Sequence, residues 1–141
     1  MSTPGGTEVK EELREMVKEV LEEVAVLERE AFCQESGAVG NGYYSRGLDG
    51  LFGRIGELRV PRTREGGFRP FFLEPYQRAS YELDELVVAM YQGGCSTRDI
   101  SRTIGALING RYSATWVSRI TDVIQGKAEA YRRRPWRSGI P

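Results

Sequence analysis

The stretch Leu86–Ile124, LVVAMYQGGCSTRDISRTIGALINGRYSATWVSRITDVI, decides the fold expected of this chain. It contains three helical patterns, separated by the glycine pair at 93–94 and by Asn109-Gly110. Ser96 stands where an N-cap is expected, and Asp99 follows three residues later, as in a capping box. The stretch therefore predicts a helix-turn-helix arrangement.

In each of these helices apolar residues recur at three- and four-residue steps, which places them on one buried face. The expected buried residues are Leu83, Leu86, Val87 and Met90, then Ile100, Ile104, Leu107 and Ile108, and finally Ala114, Val117, Ile120 and Ile124. Ser113 opens the last helix, and its other face carries Thr115, Ser118, Arg119 and Asp122. Short polar side chains around one arginine are typical of helices that read base edges. The same helical pattern also occurs in domains that bind nothing.

Charge is distributed unevenly, although the formal net charge is zero. Residues 1–35 carry ten acidic and four basic side chains, residues 36–96 carry seven of each, and residues 97–141 carry nine basic and three acidic side chains. The basic residues of the last segment are Arg98, Arg102, Arg111, Arg119, Lys127, Arg132, Arg133, Arg134 and Arg137. A basic excess on the candidate recognition helices is expected of a phosphate-binding surface.

The segment before this stretch predicts a long helix followed by a β-hairpin. From Thr7 to about Phe32, apolar residues repeat as a heptad seam. The seam consists of Leu13, Val17, Val20, Val24, Leu27 and Ala31. It either covers the rest of the domain or pairs with another helix as a dimer. Strand-like alternation runs from Tyr43 to Val60, with Asp49-Gly50 as the turn signal. Pro61 has no N–H to donate and is expected to end the hydrogen bonding of the second strand.

A basic, glycine-containing loop follows from Pro61 to Pro70, with Arg62, Arg64 and Arg69. Such a loop either follows a phosphate backbone or is an ordinary solvated turn. The expected fold is mainly α with a small β-hairpin: a long N-terminal helix, a β-ribbon and then a helix-turn-helix-like helical part. The expected segments are residues 1–40 (helix and linker), 41–77 (hairpin and basic loop), 78–136 (DNA-binding part) and 137–141 (tail).

Composition argues against several classes of protein. Hydrophobic residues make up 40% of the chain, yet no apolar run approaches the roughly 20 residues needed to span a bilayer. A secretory signal pattern is not recognisable either, so the cytoplasm is the expected compartment. With only Cys33 and Cys95 and no histidine, neither a disulfide framework nor a Cys/His zinc site is expected. A glycine-rich phosphate loop followed by Lys and Ser or Thr is also missing.

An ordered series of short motifs runs through the chain. The motifs are GYYSRGLD at 42–49, GELRVPR at 56–62, GF at 67–68, EPYQR at 74–78, MY at 90–91, GCSTRDI at 94–100 and VSRIT at 117–121. In this order, over about residues 41–136, the series closely resembles the N-terminal part of the Mutator-type transposases of bacterial and archaeal insertion sequences. A single motif of this length is weak, whereas several in one order are specific.

The resemblance implies DNA transposition. Members of that family recognise the terminal inverted repeats of their element and cut and rejoin DNA with a separate RNase H-like domain. Three acidic residues of that domain hold two divalent metals, usually taken as Mg²⁺. Here residues 131–136 approach the family's junction with the catalytic domain. The chain is therefore expected to be the DNA-recognition portion, without strand-transfer activity or a cofactor of its own. The acids Asp49, Asp84, Glu85 and Asp99 do not match a two-metal pattern.

The predicted DNA-binding residues divide into two groups. Groove contacts are assigned to Ser113, Thr115, Ser118 and Arg119, with Arg119 on a guanine. Phosphate contacts are assigned to Arg98, Arg102, Arg111, Lys127, Arg132, Arg133 and Arg134. Trp116 is expected to pack rather than to stack on a base. The expected partner is double-stranded DNA at the inverted repeats. The alternatives are an inactive fragment that pairs with full-length transposase through the N-terminal helix, and an inert remnant.

Overall fold

One long helix, one β-hairpin and three further helices pack around a shared core. A computed structural model describes residues 6–73, 79–93, 96–108 and 111–133. In chain order the elements are α1 (Gly6–Ser36), β1 (Gly40–Gly50), β2 (Gly53–Thr63), a short 3₁₀ turn (Phe71–Leu73), α2 (Ala79–Tyr91), α3 (Thr97–Ile108) and α4 (Ala114–Arg133). The mainly helical class with one antiparallel hairpin, predicted from the sequence, is confirmed.

The heptad seam of α1 covers the core of its own chain. Its members are buried at Val17, Val20, Val24 and Ala31 and half-buried at Leu13 and Leu27. The helix packs against α4 and β2. Of the two roles expected for the seam, the structure therefore supports the covering role, and the seam gives no basis for a dimer.

The α1 helix continues for one turn beyond the last residue predicted for it. The prediction ended at Phe32, whereas the helix ends at Ser36. The extra turn is polar, so apolar spacing gave no sign of it. Gly37 sets the end because it takes a positive φ of 76° and its N–H donates to the Cys33 carbonyl at 2.9 Å, as glycine does after many helices.

The hairpin turn lies two residues later than the sequence signal. Asp49-Gly50 was the predicted turn, but Gly50 pairs with Gly53 and the turn residues are Leu51 and Phe52. A tertiary contact explains the difference, because the Leu51 N–H donates to the Asp84 carboxylate of α2 at 3.1 Å. A Cβ at position 50 would lie 3.1 Å from the same carboxylate, so glycine keeps this approach open.

The second strand also runs further than predicted. Pro61 was expected to end the donors of this strand, yet β2 continues to Thr63. Pro61 pairs with Tyr43, and the next turn residue, Arg64, donates its N–H to the Val39 carbonyl at 2.8 Å. Proline removes only its own N–H, and the residues after it still pair. The alternation itself is confirmed, since Leu58 and Val60 are buried and the residues between and before them are exposed.

The three helices after the hairpin bury nearly the faces that the sequence predicts. Leu83, Leu86, Val87, Met90, Ile100, Ile104, Ile108, Ile120 and Ile124 are buried, while Leu107 and Val117 are half-buried against the same core. Ala114 is the exception, because it is exposed in the first turn of α4 and the larger Trp116 takes the inward position there. The expected packing of Trp116 is therefore confirmed.

One buried carboxylate joins distant parts of the chain. Glu28 of α1 is fully buried. Its oxygens accept hydrogen bonds from the Phe71 N–H at 3.1 and 3.2 Å and from the Tyr112 hydroxyl at 2.9 Å. These donors satisfy a charge that would otherwise be costly to bury. Glu28 thus fixes the end of the basic loop and the turn before α4 to the same helix.

In the part of the chain that the structure describes, none of the helices is both long enough and apolar enough to cross a bilayer.

Candidate nucleic-acid interface

The beginning of α4 presents a polar surface to solvent. Ser113 precedes the helix, and its carbonyl accepts the first helical hydrogen bond from the Val117 N–H at 3.0 Å. Thr115, Ser118 and Arg119 follow at helical spacing, and all three are exposed, as is Ser113. We call these four residues the α4 polar face. The structure thus brings all four predicted groove residues to the first two turns of one helix.

Arg119 is held in place by two neighbours. Its guanidinium lies 4.4 Å from the centre of the Trp116 ring, in a cation–π arrangement. It also lies 3.8 Å from a carboxylate oxygen of Glu30 on α1. The Arg119 side chain nevertheless remains 51% exposed. Trp116 and Glu30 thus flank the Arg119 guanidinium, and about half of the Arg119 side chain stays exposed to solvent.

The start of α3 contributes two further exposed arginines. Ser96 caps this helix, since its hydroxyl accepts the Asp99 N–H at 3.2 Å, as the sequence predicts. The Asp99 carboxylate accepts a hydrogen bond from Arg102 at 2.9 Å. Arg98 lies one turn before Arg102 on the same helix and is exposed. Four-residue spacing puts both guanidinium groups on one face of α3.

Arg111 supports the turn between α3 and α4. It is half-buried, and its Nη2 donates to the Arg69 carbonyl at 2.8 Å. Its guanidinium also lies 5.7 Å from the ring centre of the neighbouring Tyr112. Burial, together with the nearby Glu28 carboxylate, raises the pKa of Tyr112 well above its ordinary value. The turn before α4 is thus held by Arg69 through Arg111 and by Glu28 through Tyr112.

Lys127 lies apart from the α4 polar face and against α1. Its ammonium is 3.1 Å from Glu23 and 3.3 Å from Glu19. The hydrogen bond to Glu23 raises the pKa of Lys127, partial burial opposes this, and Glu19 adds to the increase. Tyr131, one turn further along α4, also hydrogen-bonds Glu19. This part of α4 is therefore joined to the acidic side of α1.

The remaining predicted phosphate residues lie at the end of α4. Arg132 and Arg133 are exposed in its last turn. The Arg132 guanidinium lies close to Gly93, where an added Cβ would be 3.1 Å from Nη1. Arg134 lies outside the described residues. The structure consequently groups Ser113, Thr115, Ser118 and Arg119, while Lys127, Arg132 and Arg133 lie elsewhere along the helix.

The acidic residues that were considered for metal binding are dispersed. Asp49 pairs with Arg54 across the hairpin at 2.9 Å, Asp99 pairs with Arg102, and Asp84 is buried under the hairpin turn. Within the described ranges, no group of three or more His, Cys, Asp or Glu side chains is arranged to hold a metal ion. Asp49, Asp84 and Asp99 thus lie on different elements, and each has a partner within the chain.

Sequence reasoning missed the connection between the basic loop and α4. Glu28, which makes this connection, lies four residues after Val24 and three before Ala31, both of which are buried. That spacing places a carboxylate on the apolar stripe of α1. A charged residue on such a stripe is the signal that was available, because buried charges require specific partners.

Comparison with known proteins gives consistent results. The sequence model of the family described as "Transposase, Mutator family" matches residues 5–140. The transposase for insertion sequence element IS1201 of Lactobacillus helveticus is 33% identical over 131 residues, covering 89% of this chain and 35% of that protein. The transposase for IS905 of Lactococcus lactis is 35% identical over 99 residues, covering 70% of this chain and 25% of that protein.

A third relative is the transposase for IS256 in transposon Tn4001 of Staphylococcus aureus, with 36% identity over 94 residues, 67% of this chain and 24% of that protein. The chain therefore matches between about a quarter and about a third of the length of these curated relatives. No solved structure matches the chain.

Proposed function

The chain belongs to the Mutator family of transposases, and on that premise we propose that it recognises the terminal inverted repeats of an insertion sequence through the α4 polar face. The observation that carries this proposal is the exposure of Ser113, Thr115, Ser118 and Arg119 at the beginning of α4, which we interpret as the second helix of a helix-turn-helix. In that motif the N-terminal residues of the second helix contact the base edges.

The chemistry of the α4 polar face suits the major groove. Serine and threonine hydroxyls both donate and accept, so Thr115 and Ser118 are able to bond either kind of base edge. An arginine makes two parallel hydrogen bonds to O6 and N7 of guanine, and Arg119 is about half exposed with its guanidinium beside the Trp116 ring. Arg119 is therefore assigned to a guanine of the inverted repeat.

Sequence-independent contacts are assigned to exposed arginines of α3 and of the end of α4. Arg98 and Arg102 extend from α3 into solvent, and Arg132 and Arg133 extend from the last turn of α4. Guanidinium groups at such positions bind phosphate oxygens and set the register of the protein on the duplex. Lys127 and Arg111 are assigned a supporting role, because both are half-buried against partners within the chain, whereas Arg102 stays 75% exposed beside Asp99.

The biological activity served by this binding is DNA transposition, since the relatives are transposases of insertion sequence elements. The cytoplasm remains the proposed place of action. Pairing with another transposase through α1 receives no support from the heptad seam, since the seam is covered within the chain.

Fluorescence anisotropy tests the proposal. The purified chain is titrated with a duplex of its inverted-repeat end and with a scrambled duplex of equal length and composition, between about 50 and 200 mM salt. We expect a preference for the repeat that persists as salt increases. Equal binding to both duplexes, with complete loss at the higher salt, would refute sequence recognition.

Two variants connect that preference to the α4 polar face. Ser118→Ala and Arg119→Ala are expected to reduce the preference for the repeat. Arg54→Ala is the matched control, because Arg54 is an exposed arginine on the hairpin, paired with Asp49. If the control reduced the preference as much as Arg119→Ala, recognition would not belong to α4.

A further inference from the structure

A basic loop lies directly beside the beginning of α4. We call residues 64–69, Arg-Glu-Gly-Gly-Phe-Arg, the arginine loop; it leads from β2 toward the 3₁₀ turn. The Arg69 carbonyl accepts the hydrogen bond from Arg111 at 2.8 Å. Arg111 is only two residues before Ser113. The arginine loop and the α4 polar face therefore adjoin, although more than 40 residues separate Arg69 from Arg111 in sequence.

The position of the arginine loop relative to α4 is fixed by the interior of the protein. Glu28 accepts hydrogen bonds from Phe71, just after the loop, and from Tyr112, just before α4. The Phe68 ring contacts the Phe32 ring of α1, with 5.5 Å between their centres. A loop held in this way loses little conformational entropy when it binds a ligand.

The other end of the arginine loop is a closed, exposed turn. The Thr63 hydroxyl donates to the Gly66 carbonyl at 2.7 Å, and the Gly66 N–H donates to the Thr63 carbonyl at 3.2 Å. Gly66 and Gly67 have φ angles of 75° and 86°, which favour glycine. A Cβ at either glycine would meet no atom within 4 Å. The tip is thus open to close approach by another molecule.

The side chains of the arginine loop suit an anionic ligand. Arg64 and Arg69 are exposed at its two ends, and Glu65 is the one acidic residue among the six. Arginine binds phosphate through two parallel hydrogen bonds. Phosphates border the major groove, which is about 12 Å wide, on both sides of an inserted helix.

We propose that the arginine loop is a second DNA contact, in which Arg64 and Arg69 bind phosphates of the strand that borders the groove entered by α4. This proposal depends on the proposed function, because α4 sets where the duplex lies. In this role the loop positions the duplex and reads no bases, because phosphate contacts fix register and orientation but carry no sequence information.

The salt dependence of binding measures such contacts directly. Removing one phosphate contact lowers the slope of log K against log salt by about 0.9. In the full chain, Arg64→Ala combined with Arg69→Ala is expected to lower the slope by about 2 on the repeat and the scrambled duplex alike. The preference between the duplexes is expected to remain. The Arg69 carbonyl is retained in this variant, so its hydrogen bond with Arg111 persists.

A variant with the same loss of charge serves as the control. Arg46→Ala combined with Arg54→Ala also removes two exposed arginines, in this case from the hairpin. We expect it to leave the slope unchanged, so that a difference between the two variants reports position rather than net charge. Arg64→Lys with Arg69→Lys should restore most of the slope, because lysine also binds phosphate. Unchanged thermal midpoints would exclude a folding defect.

Two outcomes separate failure of this inference from failure of the proposed function. If Arg119→Ala loses the preference for the repeat while the arginine-loop variant keeps the wild-type slope, the second contact is refuted and recognition by α4 stands. If the wild-type chain has no preference and neither variant alters the slope, both proposals are refuted.

Discussion

The hydroxyl of Tyr112 donates to the buried carboxylate of Glu28 at 2.9 Å, across 84 residues of sequence. This contact ties the turn before α4 to α1 and sets where the α4 polar face stands. Glu28→Ala would leave the Tyr112 hydroxyl and the Phe71 N–H without this acceptor, and each such loss costs about 1–3 kcal/mol. We expect a decrease of about 2–6 kcal/mol in the free energy of unfolding, measured by urea denaturation. Glu30→Ala, at an exposed position of α1, should change it by less than about 0.5 kcal/mol.

Arg119 is expected to contribute to specificity rather than to overall affinity. Arg119→Ala should weaken binding to the inverted repeat by about 1–3 kcal/mol and relax the preference at one base position. Binding to a panel of duplexes with single base changes locates that position. Equal weakening on every duplex would instead make Arg119 a phosphate contact.

Glu30 is expected to restrain DNA binding through Arg119. Its carboxylate lies 3.8 Å from the guanidinium and adds negative charge beside the α4 polar face. Glu30→Gln removes that charge at nearly constant size, so affinity for DNA should rise, most strongly at low salt. Glu11→Gln, an exposed substitution near the beginning of the same helix, is the control. Equal gains from both variants would mean that only net charge matters.

Asp84 is expected to make stability depend on pH. Burial raises the pKa of Asp84 from its ordinary 3.8 to about 6, and the hydrogen bond from Leu51 partly opposes the increase. The folded protein therefore holds this proton to higher pH than the unfolded chain does. Stability decreases as pH rises through this range, by about 3 kcal/mol in total for a pKa difference of about two.

Asp84→Asn tests this dependence because the amide does not ionise. The free energy of unfolding of the variant, minus that of the wild type, should increase between pH 4 and pH 7. Denaturation at several pH values gives this difference, and Glu82→Gln on the exposed side of α2 is the control. Parallel pH profiles for Asp84→Asn and the wild type would contradict the prediction.

Lys127 is expected to act in stability and not in DNA binding. Lys127→Met removes the ion pairs with Glu23 and Glu19, and we expect a loss of about 1 kcal/mol near pH 7. Since the pKa of Lys127 is raised in the folded protein, this contribution is lost as pH rises through that pKa. The salt slope of DNA binding should stay unchanged. A decrease of about 0.9 would instead identify Lys127 as a phosphate contact.

Local patterns were sufficient for the helices but not for the hairpin turn. The apolar spacing from Leu83 to Ile124 gave the buried faces of α2, α3 and α4, and Ser96 gave the start of α3. These features depend on residues three or four positions apart. The hairpin turn at Leu51 depends on Asp84, 33 residues away, and a local pattern contains no information about that contact.

The surface around α4 was predictable in composition but not in arrangement. The count of basic residues identified a basic region. It did not distinguish Lys127, which faces acidic residues of α1, from Arg98, which is exposed. Nor did it place Arg69 beside Arg111. Both features depend on tertiary packing, which decides which residues are neighbours and whether a cation is neutralised within the chain.

The dependence of the turn before α4 on Glu28 also has a consequence for folding during protein synthesis. A ribosome adds roughly 5–20 residues per second, so Tyr112 is made roughly 4–17 s after Glu28. During that interval the carboxylate stays hydrated and the seam residues Val17, Val20 and Val24 lack the helix that later covers them. The nascent chain therefore carries an apolar stripe that α4 does not yet cover, and chaperone capture at this stage would compete with docking of α4.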